Sequence, residues 1–348
     1  MGINMKTLII LLLTAFTLFN TGESLFAQRG TAQTQTLEVR LASPLPRESP
    51  WGRTLDRLAA EWSRVTNGQV RLRVLHGGVE GGEDRMRLSL STNAIQGALF
   101  TSFGLSNLEP SILTLSAPFL IRTDSELIAV LNELGPELEE RINSGSYFLL
   151  SWSRAGFVNF FSREPLYTPQ DLRNIRLASS SEAGQMNDIF RALGYQIVEG
   201  DWLTVGLMLN SGTVSGLYQN PAAMAALQMH NLVRYMLPIN IAPVLGGIVL
   251  NQVTWNRIGA LNPRYQTELL RITRDLAEEF DSAMPRTMNE AVQSMRRTGL
   301  IVNDLTPQQE QLWIDEFERT LPSLLGTAFD TNLYNRILTI LERERSRR

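Results

Sequence analysis

The 348-residue sequence predicts an α/β protein with a mostly parallel sheet and two domains of ordinary size. Segments that alternate between polar and apolar residues are followed by segments with helical spacing, and this order repeats along the chain. The length is sufficient for two domains. With 43% hydrophobic and 19% charged residues, the composition is that of an ordinary globular protein rather than a disordered one.

Strands are predicted where polar and apolar residues alternate, or where a short apolar run stands between turn residues. In the first half of the chain these segments are LEVRLAS (37–43), QVRLRVL (69–75), AIQGALFTS (94–102) and YFLLSWS (147–153). In the second half they are VNFF (158–161), NIRLAS (174–179), VSGLY (214–218), GGIVLNQVTW (246–255) and LIVNDL (300–305).

Helices are predicted where apolar residues recur three or four positions apart, and two of these segments contain proline. The helix beginning near Ser125 should break at Gly135-Pro136, and the long amphipathic helix after Pro263 should be kinked or interrupted at Pro285. Proline has this effect because it removes a helical hydrogen bond and crowds the preceding turn. The other predicted helices cover Trp51 to Val65, the segment that starts at Glu83–Asp84, and two stretches at the C-terminal end.

The N-terminal residues 1–27 have the layout of a secretory signal peptide. Lys6 precedes an apolar run from Leu8 to Phe19, and a polar patch and Ala27 follow. The run is shorter than the roughly 20 residues that span a bilayer. We therefore predict export with cleavage, and an uncleaved anchor is the alternative.

The composition excludes several kinds of chemistry. Without cysteine the chain has no thiol nucleophile and no Cys-ligated zinc site, and its two histidines, His76 and His230, are far apart in sequence. HGG at 76–78 is not accompanied by the G-x-S-x-G motif of lipases, and the glycine-rich run 77–82 lacks the lysine of a phosphate-binding loop. A net charge of −3 argues against nucleic acid as a partner. We predict no catalytic site, no metal and no cofactor.

Several segments, in order, resemble the extracytoplasmic solute-binding subunit of TRAP transporters, the DctP-type family. The similarity covers about residues 37–345, and its order along the chain is more specific than any single motif. The segments are EWSRVTNGQVRLRVL (61–75), GGEDRMRLSLSTNAIQGALF (81–100), SAPFL (116–120), PLYTPQDLRNIRLAS (165–179) and LMLNSGTVSG (207–216) with Asn220-Pro221.

The resemblance implies a two-domain periplasmic solute-binding fold, with a cleft between the domains and a long helix across the hinge. Laid onto this chain, domain I takes residues 37–153 and 243–283, and domain II takes 154–242 and 284–345. The implied partners are a small-molecule ligand and the TRAP membrane subunits, which use a sodium gradient. A periplasmic tetratricopeptide-repeat protein accompanies some such systems, and this chain could belong to that variant.

The resemblance also locates two arginines that hold the ligand carboxylate in the family, and both positions are apolar in this chain. The strand after Asp171-Leu172 ends with Ala178 at one arginine position, and Val158 follows the Gly156-Phe157 pair at the other. Arg176 or Arg154 could substitute, although neither lies at the matching position.

A ligand that is hydrophobic or uncharged is therefore predicted, rather than a simple carboxylate. Aromatic residues and a few hydroxyl or amide groups would complete the site, and for each aromatic residue a place in the ordinary core is the alternative. The predicted ligand-binding residues are Trp51, Thr101, Ser102, Phe119, Phe157, Val158, Ala178, Ser181, Trp202, Tyr218 and Asn220. The alternative is a degenerate binding fold that acts as a protein-interaction partner.

Overall fold

A computed structural model describes residues 36–347 apart from residue 201, without the side chains of Glu182, Trp202 and Leu203. The predicted signal peptide over 1–27 lies outside the described residues. None of the helices described in 36–347 combines the length and the apolar character needed to cross a membrane.

Ten strands and twelve α-helices are described. The strands are β1 Leu37–Ala42, β2 Val70–Leu75, β3 Gly97–Thr101, β4 Tyr147–Ser162, β5 Arg176–Ser180, β6 Gln196–Gly200, β7 Gly216–Gln219, β8 Tyr235–Met236, β9 Ala242–Asn251 and β10 Ile301–Val302. The helices are α1 Pro50–Val65, α2 Glu83–Ser91, α3 Ser102–Ser106, α4 Asp124–Asn143, α5 Pro169–Arg173, α6 Gly184–Ala192, α7 Trp202–Asn210, α8 Pro221–Ala226, α9 Gln252–Leu261, α10 Pro263–Arg297, α11 Pro307–Thr320 and α12 Thr331–Arg345.

The strands join in the order β2-β1-β3-β9-β4-β7-β5-β6, and β8 pairs with both β4 and β10. Strand β1 is parallel to β2 and β3, and β5 is parallel to β6 and β7. Strand β9 is antiparallel to β3 and β4, and β4 is antiparallel to β7 and β8. The prediction of a mostly parallel sheet is therefore wrong for the centre, because the two strands that link its halves run antiparallel.

Strand β4 belongs to both halves of the sheet. Its first part pairs with β9 from Tyr147 to Val158, and its last part, from Asn159 to Ser162, pairs with β7. The segments YFLLSWS and VNFF are thus one continuous strand. The segment GGIVLNQVTW is not one strand, because β9 ends at Asn251 and the Asn251 side chain caps α9, accepting from the backbone N–H of Thr254 at 2.8 Å.

Both internal prolines lie within unbroken helices, so the predicted break at Gly135-Pro136 and the predicted interruption at Pro285 are wrong. Each proline is exposed. Buried residues lie on both sides of each one, such as Leu134 and Leu138 in α4. Tertiary packing anchors the turns before and after the proline, and the ring is accommodated on the solvent face.

Helices cover both faces of each half of the sheet. The face under α1 and α10 carries an apolar cluster that includes Leu41 and Trp62. The second half packs one face against a cluster that includes Phe160 and Phe317, and the other face against one that includes Phe161 and Met224. These cores fix the strand ends at which the candidate site lies.

Candidate ligand site at the crossing strands

Strands β4 and β9 run between the two halves of the sheet, and their linking parts, Arg154–Val158 and Ala242–Gly246, form the crossing region. The pairing register shifts between Arg154 and Phe157. Gly156, inside this shift, has a φ of +80°, a conformation that favours glycine. A β-bulge redirects the side chains beyond it. The bulge therefore determines which way Phe157 and Val158 face.

The side chains of Ser102 and Asn220 each donate a hydrogen bond to the crossing region, one from each half of the sheet. The Ser102 hydroxyl, buried just after β3, donates to the carbonyl oxygen of Leu245 at 3.3 Å. Asn220, just after β7, donates from Nδ2 to the carbonyl oxygen of Ala155 at 2.5 Å. Its Oδ1 accepts two backbone N–H groups at the start of α8. Two predicted site residues thus meet the same pair of strands.

Three more predicted residues lie in or beside the crossing region. Phe157 is buried and Val158 is half-buried, and both pair with β9. Thr101 pairs with Gly246 of β9, and the Glu83 carboxylate accepts its backbone N–H at 2.6 Å and its hydroxyl at 2.9 Å. These residues form a site that is apolar along β4. The hydroxyl groups of Thr101 and Ser102 lie on one side of it and the Asn220 amide lies on the other.

Ala178, which the resemblance predicts to take the place of an arginine, is only 1% exposed. It packs in the apolar cluster that contains Phe161, Val205 and Leu217. Ser181 follows β5 in a 3₁₀ turn and is exposed. Position 178 therefore presents a buried apolar surface, and its contact with a ligand stays a prediction.

Arg154 is the arginine nearest to Val158 in sequence, and its guanidinium group is already paired. Nε donates to the Asp281 carboxylate at 3.0 Å, and one terminal nitrogen donates to Asp124 at 2.9 and 3.1 Å. Asp281 also accepts the backbone N–H of Arg154 at 2.8 Å. Burial raises the pKa of Asp281 to about 6, and the hydrogen bonds and charge of Arg154 offset this effect only in part. Arg154 thus serves two carboxylates of the chain itself.

Arg176, the other candidate substitute, is exposed at the start of β5. Its guanidinium group donates to the carbonyl oxygen of Gly212 at 3.0 Å. Parallel strands offer their carboxyl ends to a ligand in open α/β folds. Arg176 lies at the opposite end of β5 from Ser180 and Ser181.

Tyr218 lies on β7, and its hydroxyl is 2.9 Å from the Ser179 hydroxyl. Ser179 also hydrogen-bonds Asn187, whose Nδ2 donates to the carbonyl oxygen of Ser180 at 2.8 Å. Burial raises the pKa of Tyr218 to about 12, so the phenol is neutral at physiological pH. This polar network was not predicted, although a run of three serines after a strand was its signal.

The remaining aromatic predictions lie elsewhere. Phe119 is 1% exposed and its ring stacks on Phe317 with centroids 4.6 Å apart, so its side chain belongs to the core. Trp51 begins α1 and packs against Phe280 of α10, with ring centroids 5.8 Å apart. The side chain of Trp202 lies outside the described residues.

Sequence reasoning missed Asp281 and Asp124, the two carboxylates that engage Arg154. The signal for Asp281 was present, because it interrupts the stripe Ala277, Met284 and Met288 on the inner face of α10. A carboxylate in an apolar stripe predicts a buried partner of opposite charge.

In the described part of the chain, no three His, Cys, Asp or Glu side chains are grouped to hold a metal ion. His76 pairs with Asp56 at 2.9 Å.

The model of the family DctP, bacterial extracellular solute-binding protein family 7, matches residues 41–325. The chain belongs to this family. The resemblance seen in the sequence is thereby confirmed, as is the fold class of a two-domain α/β solute-binding protein with a long helix. The tetratricopeptide-associated variant stays a prediction.

Solved structures of TRAP periplasmic solute-binding proteins share this fold at low identity. The Ralstonia eutropha protein, with bound (S)-2-acetolactate, has a TM-score of 0.80 at 18% identity, over 88% of this chain and 99% of its own. The Desulfovibrio salexigens protein, with bound orotic acid, has a TM-score of 0.78 at 16% identity, over 90% and 99%. The Sulfurospirillum deleyianum protein, with bound succinate, has a TM-score of 0.75 at 19% identity, over 87% and 99%.

A curated relative is the uncharacterized protein y4mM of Sinorhizobium fredii, 26% identical over 160 residues. The match covers 45% of this chain and 29% of that protein. The chain therefore spans less than a third of that relative's length.

Proposed function

We propose that this chain is the periplasmic receptor of a TRAP-type secondary transporter. It binds a small molecule between its two domains and delivers it to the TRAP membrane subunits, without catalysing a reaction. Membership of the solute-binding family and the likeness to TRAP receptors support this role. Residues 1–27 would be the cleaved signal peptide, and the domains would divide at about residues 153 and 243.

The ligand in this proposal is apolar or uncharged, and one observation carries it. The two positions that hold a carboxylate in the family are Val158 and Ala178, while both nearby arginines are engaged elsewhere. Arg154 pairs with Asp124 and Asp281, and Arg176 donates to a backbone carbonyl at the far end of β5. The similar structures hold carboxylic acids, so a carboxylate is the competing expectation.

Energetics favour the apolar ligand. A carboxylate buried at the crossing region without its arginine would cost several kcal/mol, and about 1.4 kcal/mol is a tenfold change in affinity. An apolar ligand instead gains about 25 cal/mol per Å² of apolar surface buried, less the cost of association. A polar end of the ligand would be bound by Asn220, Ser102 and Thr101. It would use the donor and acceptor positions of these side chains that their present hydrogen bonds leave open.

The test is calorimetry on ligand-stripped protein, after native mass spectrometry has identified the molecule that co-purifies. We expect no measurable heat with succinate or orotate, and binding of the co-purified molecule with a negative heat-capacity change. Binding of succinate at micromolar concentration by the wild type would contradict the apolar ligand.

The variant Val158→Arg sharpens this test, because Val158 is half-buried, whereas an arginine at Ala178 would be buried among apolar side chains. If the missing arginines decide the ligand charge, the variant should gain at least about tenfold in succinate affinity, since charge-assisted pairs are the strong ones. It should also lose affinity for the co-purified molecule. Ser91→Arg is the control, because Ser91 is exposed at the end of α2 and is not a predicted site residue. If no molecule co-purifies and no TRAP subunit genes adjoin this one, the interaction-partner alternative is favoured.

A further inference from the structure

A buried carboxylate, Glu83, lies beside the predicted ligand-binding residue Thr101. Glu83 is the first residue of α2 and is only 4% exposed, whereas Thr101, the last residue of β3, is half-buried. One carboxylate oxygen accepts the backbone N–H of Thr101 at 2.6 Å, and the other accepts its hydroxyl at 2.9 Å. The two bonds together fix both the backbone and the side chain of Thr101.

Gly104, in α3, leaves the space that this carboxylate occupies. A Cβ at position 104 would lie 2.7 Å from Oε2 of Glu83 and 2.4 Å from Cδ1 of Phe100. Both distances are well below a van der Waals contact, so the close approach requires glycine. The Glu83 side chain is thereby enclosed, and it has little room to turn away from Thr101.

The contact with Glu83 commits the proton of the Thr101 hydroxyl. A hydroxyl group has one donor and two acceptor positions, and a carboxylate has only acceptor positions. The backbone N–H of Phe103 donates to Thr101 Oγ1 at 3.3 Å and takes one of its acceptor positions. What Thr101 can offer a ligand is therefore one acceptor position and no donor.

Ser102, the next residue, has its hydroxyl proton committed in the same way. It donates to the carbonyl oxygen of Leu245 at 3.3 Å and accepts the hydroxyl of Ser116 at 2.8 Å. Both hydroxyl groups at the end of β3 thus give their protons to acceptors of the chain itself.

We propose that Glu83 is a positioning residue that makes this side of the ligand site select a hydrogen-bond donor. The neutral ligand would direct an O–H or N–H group at Thr101 Oγ1. An ether or carbonyl oxygen in its place would meet a lone pair without a proton between them, and it would lose its hydration without gaining a bond. The inference rests on the proposed function, because it assumes that Thr101 contacts the ligand.

The experiment is an NMR titration of the purified chain with indole and benzofuran, two neutral molecules of nearly the same shape. Indole has an N–H group where benzofuran has an oxygen atom. Thr101→Val removes the hydroxyl, so the ratio of the two dissociation constants in this variant gives the preference without it. Relative to that ratio, the wild type should favour indole about tenfold.

Glu83→Gln should reverse the effect of the hydroxyl. To keep its bond to the Thr101 backbone N–H, the new amide must turn its oxygen to that group and its NH₂ to Oγ1. The hydroxyl proton is then released toward the ligand, and the preference for indole should fall at least tenfold below that of the wild type. A purely structural role of Glu83 would weaken the binding of both probes alike.

Glu109→Gln is the matched control for that substitution. Glu109 also accepts the backbone N–H and the hydroxyl of a single residue, Ser111, and it is not a predicted site residue. This variant should keep the wild-type ratio. Neutron diffraction of the ligand-free wild type provides a check without any ligand, and the deuteron of the Thr101 hydroxyl should point to Glu83.

The inference alone is overturned if the wild type shows the ratio of Thr101→Val, if Glu83→Gln, folded by circular dichroism, keeps the wild-type ratio, or if the deuteron points away from Glu83. It is also overturned if a co-purified molecule binds and neither probe does. If no small molecule binds at all, the proposed function fails, and the inference fails with it.

Discussion

Two sets of side chains near the crossing region have opposite character. Arg154, with Asp124 and Asp281, forms a cluster of three charged groups. Four residues further along β4, Val158 is apolar, and so is Ala178 on β5. The charge cluster connects separate elements of the chain, whereas the two predicted ligand positions, Val158 and Ala178, carry no charge.

This comparison shows that the charged side chains near the crossing region stabilise the fold. Arg154 connects β4 to the first residue of α4 and to the middle of α10, so three elements meet at one guanidinium group. Arginine suits this place because its planar fork bonds several acceptors in fixed geometry. An arginine so engaged stabilises the crossing region, and Asp124 and Asp281 already take up its hydrogen bonds.

The largest effect is expected from Arg154→Met. The substitution leaves Asp281, whose side chain is 9% exposed, without its partner. Breaking a buried pair on one side costs about 3–5 kcal/mol, and the lower end applies here because Asp281 can take up a proton. Urea unfolding at pH 7.5 should therefore show the free energy of unfolding falling by about 3 kcal/mol.

Arg57→Met is the matched control for that substitution. Arg57 also pairs with a carboxylate of α10, Glu279, at 2.7 and 2.9 Å, but the two side chains are 55% and 60% exposed. Such surface pairs contribute little to stability, because solvent screens the two charges. If Arg154→Met and Arg57→Met lowered the free energy of unfolding equally, burial would not explain the contribution of the Arg154 cluster.

A smaller effect is expected from the ionisation of Asp281. Burial raises its pKa to about 6 from 3.8, so between these values the folded chain binds more protons at this site than the unfolded chain. The site therefore adds stability at low pH, and this contribution is lost as the pH rises through 6. From pH 7.5 to 4, the free energy of unfolding of the wild type should rise by about 2–3 kcal/mol relative to Asp281→Asn.

The variant Glu279→Gln, on the same helix, should reveal a pH dependence of stability with the opposite sign. Hydrogen bonds from Arg57 lower the pKa of the exposed Glu279, so its contribution is present above the ordinary carboxyl pKa and is lost as the pH falls. Parallel pH profiles for the Asp281 and Glu279 variants would contradict the burial of Asp281.

Local sequence patterns predicted the elements whose formation depends on a few neighbouring residues. Alternation identified β1, β2 and β5, although only β2 keeps one buried face along its first four residues and β5 is buried on both faces from Leu177 to Ser180. The same rules failed at Pro136 and Pro285, since residues distant in sequence anchor both helices. They also failed at β9, where one side chain, Asn251, ends a strand and caps a helix.

The candidate site was predictable to a similar degree. A family motif located Asn220, and Ser102 was predicted as a polar contact; the structure brings both to the crossing strands. No motif predicts that Arg154 pairs with Asp281, 127 residues away. Nor does alternation predict the direction of Val158, because a bulge shifts the period by one residue.

The smallest effect is expected at Gly156, the residue that separates the charged part of β4 from its apolar part. Gly156→Ala must place a Cβ on a backbone with φ of +80°, where the nearest atoms are Cε and Cγ of the Met288 side chain, at 3.0 and 3.1 Å. The Met288 side chain can move, so the cost is mainly the left-handed backbone, about 1–2 kcal/mol.

Gly206→Ala is the control: Gly206 is helical, without positive φ, and a Cβ there meets nothing within 4 Å. Because alanine is the better helix former, Gly206→Ala should be neutral or stabilising by up to about 1 kcal/mol in urea unfolding. If Gly156→Ala were equally harmless, the bulge would not depend on glycine, and the change from a charged to an apolar surface along β4 would need another cause.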